Sequence, residues 1–466
     1  MKAIIGFALL CGTAIGAASQ PQSHARLPNI IYVMVDDMGY ADIGPYGQKV
    51  IRTPHLDRMA QEGMRFTNVY TGASVCAPSR SVLMTGKHLG HTRVRGNAGM
   101  AGGVLDHNKA RRVPLEPEDI TVAEVLKARG YITGMTGKWG LGEPGSTGEP
   151  NLKGFDEWFG FLNQNHAHTH YPDYLWHNQR KVPIEPNLEG KRRQHTHELF
   201  TDFAFDFIRR RSQQPFFLYV AYTLPHQEYA VPDLGPYADK PWTNEEKIYA
   251  AMVHLIDRDM GRLFGLLKDL GIDDNTIVFF CSDNGGPRRY EGRFDSNTPF
   301  RGTKGDLFEG GLRTPMLVRW PGKTPAGATS DLPWNFADVL PTLADLAGAS
   351  VPPGIDGTSV LPSVRGQRQA LDRKLYWEQY SSGLQQAVRW GKWKGIRRDG
   401  TPTVFELYNL DEDIAETRNV AAANPGVVRE MEAFMDSAHV PSPNWIRRTA
   451  NQPPAAAKKQ RSAEAR

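Results

Sequence analysis

Cysteine is scarce: the 466 residues contain three, Cys11, Cys76 and Cys281, which excludes a disulfide-stapled scaffold. A bilayer-spanning run is missing too, because the N-terminal apolar stretch from Ala3 to Ile15 is shorter than the roughly 20 residues a spanning helix needs. Charge of one sign is also lacking. Fifty-five Lys and Arg against 51 Asp and Glu leave +4, and part of that excess lies in the tail at Lys458, Lys459, Arg461 and Arg466, so no nucleic-acid surface is read. Hydrophobic residues at 40% and charged residues at 23% exclude bulk disorder, and the length allows one large domain with a satellite or two to three domains.

The apolar stretch follows Met1-Lys2 and ends in Gly16-Ala17-Ala18-Ser19, the order of a secretory leader. A leader over 1–20, export to the periplasm or the exterior, and no stable membrane insertion are the expectations. Leu10 is bulky where lipidation of Cys11 would need a small residue. Without the leader only Cys76 and Cys281 remain. Cys281 ends an apolar run and reads as a core filler, whereas Cys76 lies in a polar loop-to-helix segment suited to chemistry.

Three runs read as strands buried on both faces: Asn29 to Val35, Pro215 to Val220, and Thr276 to Cys281. Each leads into polar residues, respectively Asp36-Asp37, His226 and Asp283-Asn284, the pattern of a composite site at the carboxyl edge of a parallel sheet. Helices are predicted between them. Thr53-Pro54 opens one, Thr121 with Glu124 forms a capping box, and the stretch from Glu245 to Leu270 closes on Gly271. The fold class is therefore α/β, a large, mostly parallel sheet flanked by helices, with a catalytic domain over 27–365. Past a Pro/Gly-rich stretch from Pro352 to Pro362, the runs Lys374 to Tyr380, Leu384 to Trp390 and Val404 to Leu407, then a helix from Val427 to Ala438, predict a small antiparallel sheet with a closing helix over 370–445. A disordered tail is expected over 446–466.

Asp36, Asp37, Asp283 and Asn284 offer oxygen ligands only, which suits a hard cation such as calcium or magnesium. The segment Cys76-Ala77-Pro78-Ser79-Arg80, followed by Met84-Thr85-Gly86, resembles the signature of the type I sulfatases, in which the cysteine is oxidised to formylglycine. The order of other motifs is similar to that family: Asp36-Asp37, Thr136-Gly137-Lys138-Trp139, Pro225-His226, Ser282-Asp283-Asn284-Gly285, Gly302-Thr303-Lys304-Gly305 and Leu407-Tyr408-Asn409-Leu410. The resemblance covers about residues 28 to 440 and implies an alkaline-phosphatase-like fold, sulfate ester hydrolysis, and a maturation enzyme as partner. It implies one calcium ion held by Asp36, Asp37, Asp283, Asn284 and the converted Cys76. It also implies catalytic roles for Cys76, Arg80, Lys138, His226 and Lys304: the hydrated aldehyde attacks sulfur, the cations hold sulfate oxygens, and His226 with Lys304 faces the leaving alcohol.

One position departs from the pattern. Many relatives have a histidine two places after the first lysine, where this chain has Gly140, and one of His166, His168 and His170 is expected to fill that space. The same three histidines, with Arg288, Arg289, Arg293, Trp377 and Glu378, are the candidates for lining a sulfated-sugar pocket, because imidazole, guanidinium and aromatic groups suit sugar rings and their anions. A galactose or N-acetylgalactosamine sulfate in a glycan is the expected substrate. The alternatives are a phosphonate or phosphate ester hydrolase on the same fold, and a non-catalytic protein that binds sulfated glycans.

Overall fold

The computed structural model describes residues 26–106, 108–287, 292–380, 383–400 and 402–446. The leader, Arg288, Arg289 and the tail beyond 446 lie outside the described residues. The main sheet has ten strands: β1 (Asn29–Val35), β2 (Met64–Phe66), β3 (Ile132–Lys138), β4 (Glu157–Phe161), β5 (Tyr174–His177), β6 (Arg180–Pro183), β7 (Phe216–Ala221), β8 (Thr276–Ser282), β9 (Met316–Arg319) and β10 (Ala328–Ser330). Their order across the sheet is β10-β2-β9-β8-β1-β7-β3-β4-β5-β6. The central strands β8, β1, β7, β3 and β4 are mutually parallel, with Ile30 opposite both Phe217 and Ile277.

Alternation along β1 shows why its sequence is apolar throughout. Ile30, Tyr32 and Met34 join one buried cluster, and Ile31, Val33 and Val35 join another on the opposite face. The helices α1 (Pro54–Glu62), α2 (Cys76–Thr85), α3 (Val122–Ala128), α4 (Thr196–Arg211), α5 (Asn244–Asp269), α6 (Glu309–Leu312) and α7 (Val339–Ala347) complete the layers. Leu56 and Met59 of α1, Phe200 of α4 and Ile256 of α5 face the second cluster, while Val82 of α2, Leu126 of α3 and Leu340 of α7 face the first. The capping box predicted at Thr121 forms, with its side chain accepting from Glu124 N at 3.2 Å, and Gly271 follows α5 with φ +64.

A second sheet follows, β11 (Lys374–Gln379), β12 (Gln385–Trp390), β13 (Trp393–Arg398) and β14 (Val404–Asn409), antiparallel in sequence order, with α8 (Pro425–Ala438) against it. Tyr376, Val388 and Leu407 pack on Met431 and Met435 of α8. Leu375, Trp377 and Ile396 turn the other way into the first core cluster, so this sheet is fused to the body of the protein. Among the described residues no helix is long and apolar enough to cross a membrane.

Candidate functional site

Because β8, β1, β7 and β3 are neighbours and parallel, the residues just beyond their carboxyl ends meet. Asp36 and Asp37 follow β1, Asp283 and Asn284 follow β8, His226 lies beyond β7, and Lys138 ends β3. Helix α2 delivers Cys76 at its first position and Arg80 one turn later, with every residue from 76 to 85 buried. Lys304 comes from the loop before α6, tied by Gly305 N to Ser74 O at 2.8 Å.

The distances bind these groups into one cluster. Cys76 Sγ lies 3.4 Å from Asp36 Oδ1, 3.9 Å from Asp37 Oδ1 and 3.5 Å from Lys304 Nζ. Lys138 Nζ donates to Asp36 Oδ2 at 2.7 Å, and Lys304 Nζ donates to Asp37 Oδ2 at 2.6 Å. Arg80 donates through Nε and Nη2 to Asp283 Oδ2 at 3.1 and 2.8 Å, and through Nη1 to Lys138 O at 2.6 Å. His226 Nε2 lies 3.4 Å from Asp37 Oδ2. The nine side chains singled out in the sequence for metal and catalysis are thus in one place.

Electrostatics separates the carboxylates. Burial works to raise Asp36, but the Lys138 ammonium, then His226 and Arg80, hold it well below the usual carboxylate range. Asp283 is pushed up to about 7 by burial and by Asp36, against Arg80. Burial, then Asp36, raises the Cys76 thiol above its ordinary range, so an unconverted cysteine here stays protonated and is a poor nucleophile.

The donor set fits a hard cation. Three carboxylates and a carboxamide converge without neutral imidazole as the main donor, and Asp36, Asp37, Cys76 and His226 each bring a ligand atom within 4.8 Å of the others. Asn284 Nδ2 donates to Asp37 Oδ1 at 2.8 Å, while its Oδ1 is buried with no hydrogen-bond partner among the described residues. A cation is what satisfies a buried carbonyl oxygen beside ionised carboxylates.

The expected sugar-binding residues divide. His168 reaches the cluster, its ring stacked on His226 at 4.7 Å. His166 packs on Tyr174 at 4.3 Å, beside a separate cavity. His170 does not line a pocket: it is fully buried, its Nε2 3.0 Å from His226 O and its ring stacked on His195, so it supports the histidine loop from behind. Arg293 is held elsewhere, by Glu246 at 2.5 Å and over the Trp242 ring. Trp377 and Glu378, expected to line the pocket, lie instead in the joint with the second sheet. Trp377 is fully buried and donates to Thr71 O at 2.8 Å, and Glu378, 2% exposed, is enclosed by Arg95, Tyr376, Tyr380 and His439.

Among the described residues no histidine fills the space at Gly140. Gly140 N pairs with Leu162 O at 3.1 Å, and a Cβ on Gly140 would lie 2.2 Å from Gln164 Nε2. Gln164 therefore occupies the place, with both amide heteroatoms buried and unpartnered among the described residues. Neither Gln164 nor Asn97, whose Oδ1 accepts from Ala77 N at 2.9 Å, was singled out from the sequence. The one available signal was the polar run Asn163-Gln164-Asn165 directly after a strand.

Comparison with known proteins agrees with this geometry. Residues 28–349 match the family model described as Sulfatase, and residues 303–436 match the one described as N-sulphoglucosamine sulphohydrolase, C-terminal. The N-acetylgalactosamine-6-sulfatase of Homo sapiens is 35% identical over 389 residues, covering 78% of this chain and 70% of that protein. Arylsulfatase A of Homo sapiens is 32% identical over 485 residues and covers 91% of each. The crystal structure of Ps i-CgsB in complex with k-i-k-neocarrahexaose superposes with a TM-score of 0.78 at 30% identity, covering 91% of this chain and 96% of that one.

Proposed function

This chain belongs to the sulfatase family and hydrolyses sulfate esters of glycans, and from that premise we propose that it removes sulfate from a galactose or N-acetylgalactosamine unit at the cluster around Cys76. The observation that carries the assignment to this place is the convergence of Cys76, Arg80, Lys138, His226 and Lys304 on three buried carboxylates. Calcium held by Asp36, Asp37, Asp283 and Asn284 would polarise the bound sulfate, and formylglycine made from Cys76 would supply the oxygen nucleophile.

The remaining residues divide the work. Arg80 is a positioning residue. Its rigid planar fork fixes Asp283 through two N–H groups and the Lys138 carbonyl through a third, a spread of donors that a lysine's point charge does not hold. Lys138 and Lys304 place fixed positive charge beside position 76, where negative charge gathers on sulfate oxygens as the ester bond breaks. His226 Nε2 and Lys304 Nζ would hold the proton that the departing alcohol oxygen takes up. Gln164, filling the space above Gly140, would turn its amide to the sulfate group in place of the histidine found in many relatives. Export by the N-terminal leader and conversion of Cys76 by a maturation enzyme complete the reading.

The test is sulfate release from defined sulfated galactose and N-acetylgalactosamine saccharides, using protein whose Cys76 conversion is confirmed by peptide mass. Release that disappears in Cys76→Ala supports the site. Full conversion with no release from any of them, but cleavage of a phosphonate monoester, would replace it with the phosphonate hydrolase alternative.

A further inference from the structure

A cavity of about 280 Å³ opens against the loop that carries Gln164, through Asn163 and His166. Asp106, Glu143, Asn163, His166, Tyr174 and Trp176 line it. We infer that this cavity is a subsite for one unsulfated, uncharged sugar ring, next along the glycan from the ring that loses its sulfate. The inference rests on the sulfatase reading and extends it to the substrate's neighbouring unit.

The polar wall is built before any ligand arrives. Asn163 Nδ2 donates to Glu143 Oε1 at 2.7 Å and to Asp106 Oδ2 at 3.1 Å, while its Oδ1 accepts from Asn165 N and His166 N at 2.7 and 3.1 Å. Asp106 is further held by Arg112 Nε at 2.9 Å. Such a fixed set loses little freedom on meeting hydroxyl groups. Burial pushes the Glu143 carboxyl up to about 7, so near neutral pH it both donates and accepts, as a sugar hydroxyl does.

The apolar wall is the indole of Trp176, partly exposed, since the Tyr174 ring is already packed on His166 and covered by Lys181 Nζ at 3.7 Å. An indole face beside a few fixed polar groups is the general make-up of a small-ligand pocket. The volume lies at the lower end of such pockets, about 300 Å³ and upward, which admits one ring and not a chain. Asp106, held by Arg112, and the ionised fraction of Glu143 face the space, so a sulfated ring is disfavoured there relative to an uncharged one.

Two connections link the cavity to the segments that carry the cluster around Cys76. Arg112 also donates to Asn97 O, and Asn97 Oδ1 accepts from Ala77 N, the residue after Cys76. On the other side Asn163 adjoins Gln164, which lies on Gly140, two residues past Lys138.

The experiment compares wild type, Trp176→Ala and Glu143→Gln on p-nitrophenyl sulfate, on sulfated galactose and N-acetylgalactosamine monosaccharides, and on carrageenan tetrasaccharides whose neighbouring ring is unsulfated, with chondroitin tetrasaccharides, whose neighbouring ring is a uronate, as the charged control. In the variants kcat/KM on the tetrasaccharide with the uncharged neighbour should fall about 10-fold, the worth of one buried ring face, and on the charged control it should not. Turnover of p-nitrophenyl sulfate and the monosaccharide should stay unchanged. An unchanged rate on the tetrasaccharide with the uncharged neighbour, or an equal loss on all the substrates, overturns the subsite. If converted wild type releases sulfate from nothing, the sulfatase reading fails instead. The cavity is then judged by calorimetry with the desulfated carrageenan tetrasaccharides: binding weakened by Trp176→Ala supports it, and absence of binding overturns it.

Discussion

A carboxamide buried with neither heteroatom partnered, as Gln164 is, lowers stability by about 1–3 kcal/mol for the desolvation alone. Side chains that weaken the fold in this way persist where they meet a ligand. Gln164→Met keeps the volume against Gly140 and removes both polar atoms. It should raise stability by about 1 kcal/mol in urea unfolding while lowering kcat for sulfate release about 10-fold or more. A purely structural glutamine would give the opposite pair, a less stable protein with unaltered kcat. The position was not legible in the sequence, because its meaning comes from a contact with a glycine 24 residues earlier, across the paired ends of β3 and β4. The strand-end residues were legible for the reverse reason: Asp36-Asp37 follow the apolar run that ends at Val35, and Asp283-Asn284 follow, after Ser282, the run that ends at Cys281. Trp377 and Glu378 have side chains that suit a sugar pocket, yet they serve the joint between the two sheets.

At the scale of elements, β1, β7 and β8 stand out in the sequence because both their faces are covered. β3 does not, since it carries two glycines that packing requires. A Cβ at Gly134 would lie 2.6 Å from the Phe207 ring, and one at Gly137, where φ is +99, 1.9 Å from Ala221 O. β13 escaped notice because Lys394 and Arg397 alternate with its apolar residues. Both cations are buried, and their partners Glu309 and Asp436 are far away in sequence. A similar polar joint fastens α4 to α5. Asp259 of α5 accepts from Arg258 and Arg262 at 2.9 Å, and its Oδ2 lies 3.1 Å from His197 Nε2 of α4. Burial works to raise this carboxyl, but His197 and Arg258 hold it well below its ordinary range. A depressed carboxyl contributes stability above its unfolded pKa, about 3.9, and the contribution is lost as pH falls through the lower folded value. Asp259→Ala should therefore lose about 2 kcal/mol at pH 7, a value kept modest because the two arginines are half exposed. The gap from wild type should narrow only below about pH 4. Urea unfolding at pH 7, 5 and 3.5 measures it, and a gap that widens in acid would contradict the assignment.

Across the whole molecule, the second sheet holds the loops around Cys76 and Lys304 from behind. Lys394 Nζ of β13 donates to Glu309 Oε1 at 2.8 Å, both fully buried, and Glu309 N donates to Glu416 Oε2 at 2.7 Å, at the end of the segment that carries Lys304. Trp377 fixes Thr71 in the approach to Cys76. Lys394→Met leaves the buried Glu416 without its cation and Glu309 with Arg313 as its remaining ion-pair partner, so it should lose about 3 kcal/mol of stability. It should also lower kcat, through the Lys304 segment, under conditions where the variant is still fully folded. A stability loss with unaltered kcat would make the second sheet a support for the fold alone. The cation proposed at the strand ends acts on the same scale, since a ligand that binds only the folded state adds about 2.7 kcal/mol at 100 times its Kd. Without it Asp36, Asp37 and Asp283 share a buried space balanced, among the described residues, by Arg80, Lys138, Lys304 and His226, and Asn284 Oδ1 has no partner among those residues. Chelation should lower the melting temperature by a few degrees and stop sulfate release. Calcium should restore both, magnesium less well because it demands a tighter octahedral shell. In Asn284→Ala the melting temperature should respond less to calcium. A chelated protein that keeps both its melting temperature and its turnover would mean that the lysines and Arg80 alone balance the three carboxylates.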